Sequence, residues 1–255
     1  VERIQLFNDH FQNFKRYDIP KAQLVLTDIP YNVGVNAYGS NPSWYVDGDN
    51  KNGESKLAGT SFFDTDEKFK IPEFLHFCSK MLKPEPKERG DAACMIVFCS
   101  YEQQFILIQE AKNHGLNNYI NLVFRKDFSA QVLKANMRIV GNCEYALVLY
   151  REKLPKFNND GHMIFNCMDW PRDKTTPKVH PTQKPVLLME LLIRIFTDEN
   201  DVVIDPCAGS AVTLLAANNL NRKGYGFEIK KNFYKEANEN ILKYSNKYLF
   251  ENIDK

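Results

Sequence analysis

The stretch that most constrains this chain is a short apolar run ending in a carboxylate and a proline, Leu24-Val25-Leu26-Thr27 followed by Asp28-Ile29-Pro30-Tyr31. The run is short and partly β-branched, which reads as a strand buried on both faces of a parallel sheet. Pro30 lacks a backbone N–H and closes it. Asp28 then stands at the carboxyl end of a central strand, the edge where open α/β sheets bind ligands. The Asp28 carboxylate and the Ile29 carbonyl make two acceptors that suit a planar exocyclic amine, and Tyr31 gives a base a face to stack on. An ordinary turn after a strand has the same residues.

The rest of the chain supplies the sheet around that strand. Ile4-Gln5-Leu6-Phe7 is a strand candidate, followed by Asn8-Asp9-His10. Helical spacing of Phe74, Leu75, Phe77, Cys78, Met81 and Leu82 predicts a helix, with Pro72 in its first turn. Residues 92–99 form a second buried strand, and Phe105, Ile106, Ile108 and Ala111 mark the apolar positions of a following helix that stops at His114-Gly115. Residues 119–124 and 144–150 are further strands. This alternation predicts an α/β fold, a doubly wound and mostly parallel sheet, over a single domain of residues 1–255.

Composition excludes several classes. Hydrophobic residues at 44% and charged residues at 25% are ordinary for a globular chain. No apolar run approaches the ~20 residues of a membrane span, and no charged-then-apolar leader precedes the first strand. The chain begins at Val1, so an initiator or a short N-terminal piece is expected to be missing. The six cysteines (78, 94, 99, 143, 167, 207) contain no C-x-x-C pair and no histidine clustering. They read as reduced core residues of a cytoplasmic protein and not as metal ligands.

Two segments break the pattern. Residues 32–70 carry Asn, Gly, Ser and Asp with scattered aromatics, and read as a mobile loop closing over a ligand. Asp47-Gly48-Asp49 does not make a calcium loop, because Lys51 and Asn52 stand where a ligand and a glycine belong. Between Arg125 and Lys184, eleven basic residues face six acidic ones, although the whole chain is only +1. Residues 125–179 therefore read either as a surface for a phosphate backbone, with Arg125, Lys126, Lys134 and Arg138 as candidate contacts, or as a solvated loop.

A dense hexapeptide follows, His180-Pro181-Thr182-Gln183-Lys184-Pro185, opening an apolar helix (Val186, Leu187, Leu188, Leu191, Leu192, Ile195). A generic helix start needs a cap and one proline, not this composition. Residues 201–213 then run from strand through Asp205-Pro206-Cys207-Ala208-Gly209-Ser210-Ala211 into a helix. Small residues there let backbone approach a ligand. The strand Gly224-Tyr225-Gly226-Phe227 ends in Glu228, placed to take a ribose hydroxyl pair.

The order of these pieces, Asp-Ile-Pro-Tyr, basic segment, His-Pro-Thr-Gln-Lys-Pro, small-residue turn, terminal acid, resembles the β-class of bacterial DNA amino methyltransferases through nearly the whole chain. The resemblance implies a Rossmann-like methyltransferase fold with a small target-recognition insert at 125–179, and S-adenosylmethionine as methyl donor. It implies Asp28, Ile29, Pro30 and Tyr31 as the catalytic motif. It places Asp205, Cys207, Gly209, Ser210 and Glu228 at the cofactor, Thr182, Gln183 and Lys184 on its methionine side, and Asp9 near its adenine. DNA is the implied partner of a bacterial or phage-encoded enzyme, with a homodimer admitted and no metal or membrane. Asp at position 28 leans towards adenine N6, and Ser there would lean towards cytosine N4.

The chain departs from the family's usual turn, Asp-Pro-Phe-x-Gly-Ser-Gly-Thr-Thr, at Cys207, Ala211 and Val212, and from the catalytic motif at Ile29. Alanine at 211 costs little if its φ is negative, and about a kcal/mol or more if φ is positive. Ile29 contributes only its carbonyl and should cost nothing. Two rival classes stand beside the enzyme: a methyltransferase-fold DNA-binding module impaired by its altered turn, and a protein- or RNA-modifying relative. The latter usually carries Asn first and its cofactor turn before the tetrapeptide, which this chain does not.

Overall fold

A computed structural model of the chain describes residues 3–31, 69–128, 131–134 as backbone, 137, 139–180 and 182–243. The expected loop at 32–70 therefore lies outside the described residues, apart from Phe69 and Lys70, as does Arg138.

In chain order the strands are β1 (Ile4–Phe7), β2 (Leu24–Asp28), β3 (Cys94–Cys99), β4 (Asn118–Arg125), β5 (Gln131–Lys134), β6 (Ile139–Gly141), β7 (Cys143–Tyr150), β8 (Cys167–Asp169), β9 (Val202–Asp205) and β10 (Lys223–Phe227). The helices are α1 (Ile71–Met81), α2 (Tyr101–Asn113), α3 (Val186–Phe196), α4 (Val212–Asn219) and α5 (Lys231–Glu236), which runs on into a π-helical turn. Eight strands form one sheet in the order β1-β10-β9-β2-β3-β7-β4-β8, and β5 and β6 pair apart from it. Every pairing in the large sheet is parallel except the two made by β7. That one reversed strand carries its first residues to the edge where its neighbours end.

The buried strands read as continuous apolar runs because both faces of the sheet are covered. Along β2 and β3 alternate residues enter different layers. Val25, Met95 and Val97 pack with Phe74, Phe77 and Met81 of α1. Leu24, Leu26, Ile96 and Phe98 pack with Leu188, Leu192 and Ile193 of α3 and with Leu215 of α4. A fully buried Leu or Phe contributes roughly 1.5–3 kcal/mol. A one-residue slip of β2 would exchange both layers at once, which fixes its register.

The chain order reverses between β2 and β9: β3 follows outward on one side, β10 on the other. The crevice outside their carboxyl ends is the topological switch point of the sheet. There the Thr27 hydroxyl donates to Asp205 Oδ1 at 2.7 Å.

Two expectations are corrected. In α2 the core face is Gln103, Gln104, Leu107 and Ala111, while Phe105 and Ile106 are exposed. The Ser100–Gln103 capping box sets the phase of the first turn and turns Phe105 outward. Of the cysteines only Cys78, Cys94 and Cys99 are buried; Cys143 and Cys167 are exposed and Cys207 is half-buried, all as free thiols.

Candidate active site

Asp28 ends β2, and the chain turns at once through Ile29, whose side chain is buried and whose N–H donates to the Phe98 carbonyl. The Gln103 amide donates to the Pro30 carbonyl at 2.7 Å, while its own carbonyl takes the Ser100 N–H. The cap of α2 thereby holds the turn. Sequence reasoning missed Gln103, although the Ser-x-x-Gln spacing was there to read.

Lys184 Nζ lies 2.6 Å from Asp28 Oδ2 and 3.2 Å from Glu144 Oε2. Glu144 Oε2 also accepts the Tyr31 hydroxyl at 2.9 Å, and Lys126 pairs with Oε1. Glu144 and Lys184 thus meet one phenol, with Asp28 beside them and Lys126 on the far oxygen of Glu144. Burial pushes the Asp28 carboxyl up, against the pull of Lys184. Burial also pushes Glu144 up, but Lys184 and Lys126 outweigh it and hold it at about 2. Burial pulls the Lys184 ammonium down, and Asp28 and Glu144 more than restore it. Burial, then Asp28 and Glu144, raise the Tyr31 phenol well above its ordinary value.

One atom of this cluster has no partner. Asp28 Oδ1 is buried and, among the described residues, nothing donates to it. The Ile29 carbonyl likewise receives no hydrogen bond from them. A buried, unsatisfied acceptor costs about 1–3 kcal/mol, so one kept at a crevice marks a place for an incoming donor.

The hexapeptide brings its residues to two places. Lys184 lies with the Asp28 carboxylate. Thr182 binds the His180 ring through its N–H and hydroxyl, and Gln183 ties the segment to Val179 and Pro177. The His180 ring packs at a tilt against Phe233, 4.4 Å between centroids, and covers Gly209, where an added Cβ would lie 3.7 Å from it. One short segment therefore touches both the small-residue turn and the Asp28 carboxylate.

On the turn itself, Gly209 has φ +51° and Ala211 φ +60°, the strained alternative for alanine. Asp205 is buried and accepts from Thr27 and from the Cys207 N–H at 3.1 Å, so it ties β9 to β2. Glu228 accepts from Gly209 N at 2.9 Å and Lys230 N at 2.7 Å. Ser210 is buried and Cys207 half-buried. Burial raises Asp205 to about 6 and Glu228 to about 7, since no cation compensates either of them fully. Two under-compensated acids at neighbouring strand ends fit a ligand carrying positive charge and ribose hydroxyls. Asp9 lies on the same edge, where Asn8 donates to the Glu228 carbonyl; its carboxylate takes Asn13, Tyr17 and the His10 N–H, the turn role.

Three residues of the basic segment pair with acids inside it. Lys126, expected at phosphate, is buried against Glu144 with its ammonium 4.6 Å over the Trp170 ring. Arg125 pairs with Asp169 and Arg172 with Asp127, all exposed. Lys134 lies in β5, described as backbone. A cavity of about 310 Å³ opens beside Lys184, lined among others by Phe128, Trp170, Arg172, Lys174 and Lys178.

Known proteins resemble this chain in sequence and in fold. The DNA adenine methyltransferase YhdJ of Escherichia coli K12 is 24% identical over 249 residues, 90% of this chain and 79% of that one. Across the first curated relatives, the aligned segment spans 36% to 79% of their own length. The crystal structure of an M1.HpyAVI–SAM complex superposes with a TM-score of 0.66 at 22% identity, over 93% of this chain and 98% of that one. The cytosine-N4-specific PvuII DNA methyltransferase also superposes with a TM-score of 0.66, at 15% identity, over 94% and 87%. The fold is thus that of the methyltransferases. The DNA methylase family profile matches residues 22–239, and the chain belongs to that family of N6/N4 DNA methyltransferases.

Proposed function

We propose that the chain transfers a methyl group from S-adenosylmethionine to adenine N6 of a base flipped out of DNA. The observation that carries this reading is the buried Asp28 Oδ1, without a partner among the described residues, on the residue before the Ile29 carbonyl. Two acceptors side by side match the two N–H bonds of one exocyclic amine. Hydrogen bonds to both localise the nitrogen lone pair as that nitrogen becomes tetrahedral, which is stabilisation by preorganised acceptors. Tyr31 offers the base a face, and its hydroxyl is anchored by Glu144. A paired base cannot reach this depth, so extrusion from the duplex is required.

The bound donor supplies an electrophilic methyl group on a sulfonium centre. Glu228 would take its ribose, Gly209 and Ser210 would admit it to backbone distance, and Asp205 would lend negative charge near its ammonium group. Asp9, Cys207, Thr182 and Gln183 line or brace the same edge. Lys184 belongs to the base side in this reading. It holds Asp28 Oδ2, so that Oδ1 is the oxygen left for the amine. The nitrogen gains a carbon and sheds a proton, for which Asp28 is the adjacent acceptor.

Lys174 and Lys178, at the cavity beside Lys184, suit phosphate contact better than Lys126 does. Adenine is favoured over cytosine by the aspartate at 28. The test is methyl transfer to unmethylated DNA with nucleoside analysis of the product. N4-methylcytosine in place of N6-methyladenine would keep the enzyme class and overturn the base assignment.

A further inference from the structure

We propose that Glu144 is a positioning residue for the transfer step, sharing the Lys184 ammonium with Asp28 and fixing the Tyr31 hydroxyl so that Asp28 stays a strong acceptor. The proposal rests on reading the site as that of an amino methyltransferase.

The topology explains how a residue 113 positions from Tyr31 arrives there. β7 is the reversed strand, and the register pairs Cys99, the last residue of β3, with Tyr145. The residue before Tyr145 therefore lies at the same sheet edge as the end of β2. No parallel strand could deliver its first residues to that place.

The charges explain what Glu144 does. Asp28 faces Lys184, Glu144, Tyr31, Cys99 and, across the switch point, Asp205. Glu144 faces Lys184, Lys126 and Tyr31. With Glu144 in place, two carboxylates balance two ammonium groups, and Lys184 divides its hydrogen bonds between 2.6 Å to Asp28 and 3.2 Å to Glu144. Without that charge, Lys184 would face Asp28 alone, and Lys126 would stay buried beside it without a carboxylate partner. Lys184 would close fully onto Asp28 and draw electron density from the oxygen that must accept the base's amine. The Tyr31 ring would lose the acceptor that sets its hydroxyl.

Glu144→Gln keeps the shape and removes the charge, and Lys126→Met removes a cation that faces Glu144. Each single variant and the double variant would be assayed with labelled S-adenosylmethionine on unmethylated bacterial genomic DNA. In parallel, the Asp28 carboxyl would be titrated by carbon-13 NMR in aspartate-labelled protein, assigned with Asp28→Asn. In Glu144→Gln, kcat should fall at least about tenfold while KM for the donor stays within about twofold. Adding Lys126→Met should recover at least about threefold of that loss, a non-additive result that damage to packing would not give. Asp28 should titrate at lower pH in Glu144→Gln, because a neighbouring negative charge is gone. An unmoved Asp28 titration overturns the proposal whatever the rates, and so does a kcat within about twofold of the parent. A parent chain that methylates nothing defeats the methyltransferase reading instead, and the titration still decides the charge sharing.

Discussion

Lys184 Nζ lies 2.6 Å from Asp28 Oδ2 and joins residues 156 positions apart in the chain. The same hexapeptide rests its His180 ring on Gly209. His180 and Lys184 thus reach the turn read as the cofactor site and the carboxylate read as the base site.

Asp28→Ala should lower methyl transfer by about 10³-fold or more, since a preorganised acceptor for the reacting nitrogen is lost. Binding of S-adenosylmethionine should change by less than about threefold, because Asp28 faces the base. Glu144 still pairs with Lys184 in this variant, so the fold should survive. Single-turnover rates and calorimetry check the two halves separately, and near-normal turnover would remove Asp28 from the mechanism.

The raised acids predict a pH dependence with a definite sign. Glu228 at about 7 and Asp205 at about 6 lie above their ordinary values, so the folded chain binds protons that the unfolded chain has released. Their contribution to stability is complete below about pH 4 and is lost as pH rises through 6 to 7. The ligand-free protein should therefore melt lower at pH 8 than at pH 5.5. Donor affinity should run the other way, weakening below pH 7 by up to about tenfold per pH unit for each proton that must leave. Melting curves with and without S-adenosylmethionine test both signs, and an affinity flat from pH 5.5 to 8 would contradict the assignment of Glu228.

Ala211 sits at φ +60° with its methyl buried against Leu214 and Ala237. Ala211→Gly relieves about 1 kcal/mol of strain and gives up roughly 0.8 kcal/mol of methyl burial. Stability should shift by less than about 1 kcal/mol, and donor affinity should rise by a factor of about ten or less. Glu228→Ala should lose far more affinity. Strong binding that appears only in Ala211→Gly would mark the natural chain as an impaired module.

DNA binding should weaken steeply with salt. Lys174→Gln and Lys178→Gln should each lower the logarithmic salt slope by about 0.9 if both meet phosphate. Lys126→Gln should leave the slope unchanged, since Lys126 is buried against Glu144. Arg125→Gln should have an intermediate effect, because Arg125 is exposed but shared with Asp169. Filter binding across a salt series resolves the order, and a slope lost at Lys126 would reverse this reading of the segment.

The sequence carried what is local. Strands with both faces buried announce themselves as apolar runs, so β2, β3 and β9 and the position of Asp28 at a strand end were legible, as were the helices that cover them. The side-chain partners were not. Glu144 looks like any acid at the start of a strand until the reversed direction of β7 brings it to Tyr31. Lys126 counts as a surface charge until its pairing with Glu144 is known. The phase of α2 was misread because Phe105 and Ile106 are apolar, while the polar Gln103 and Gln104 turn inward to hold Pro30 and Asn121. The sign of φ at Ala211 depends on the turn around it and is silent in the sequence.

The most direct test of the central claim is the chemical identity of the product. Unmethylated DNA incubated with the chain and methyl-labelled S-adenosylmethionine would be digested to nucleosides and separated by mass spectrometry, beside the same reaction with Asp28→Ala. The account predicts labelled N6-methyladenine from the parent chain and none from Asp28→Ala. Label at carbon, as in 5-methylcytosine, or no labelled nucleoside from the parent would contradict it.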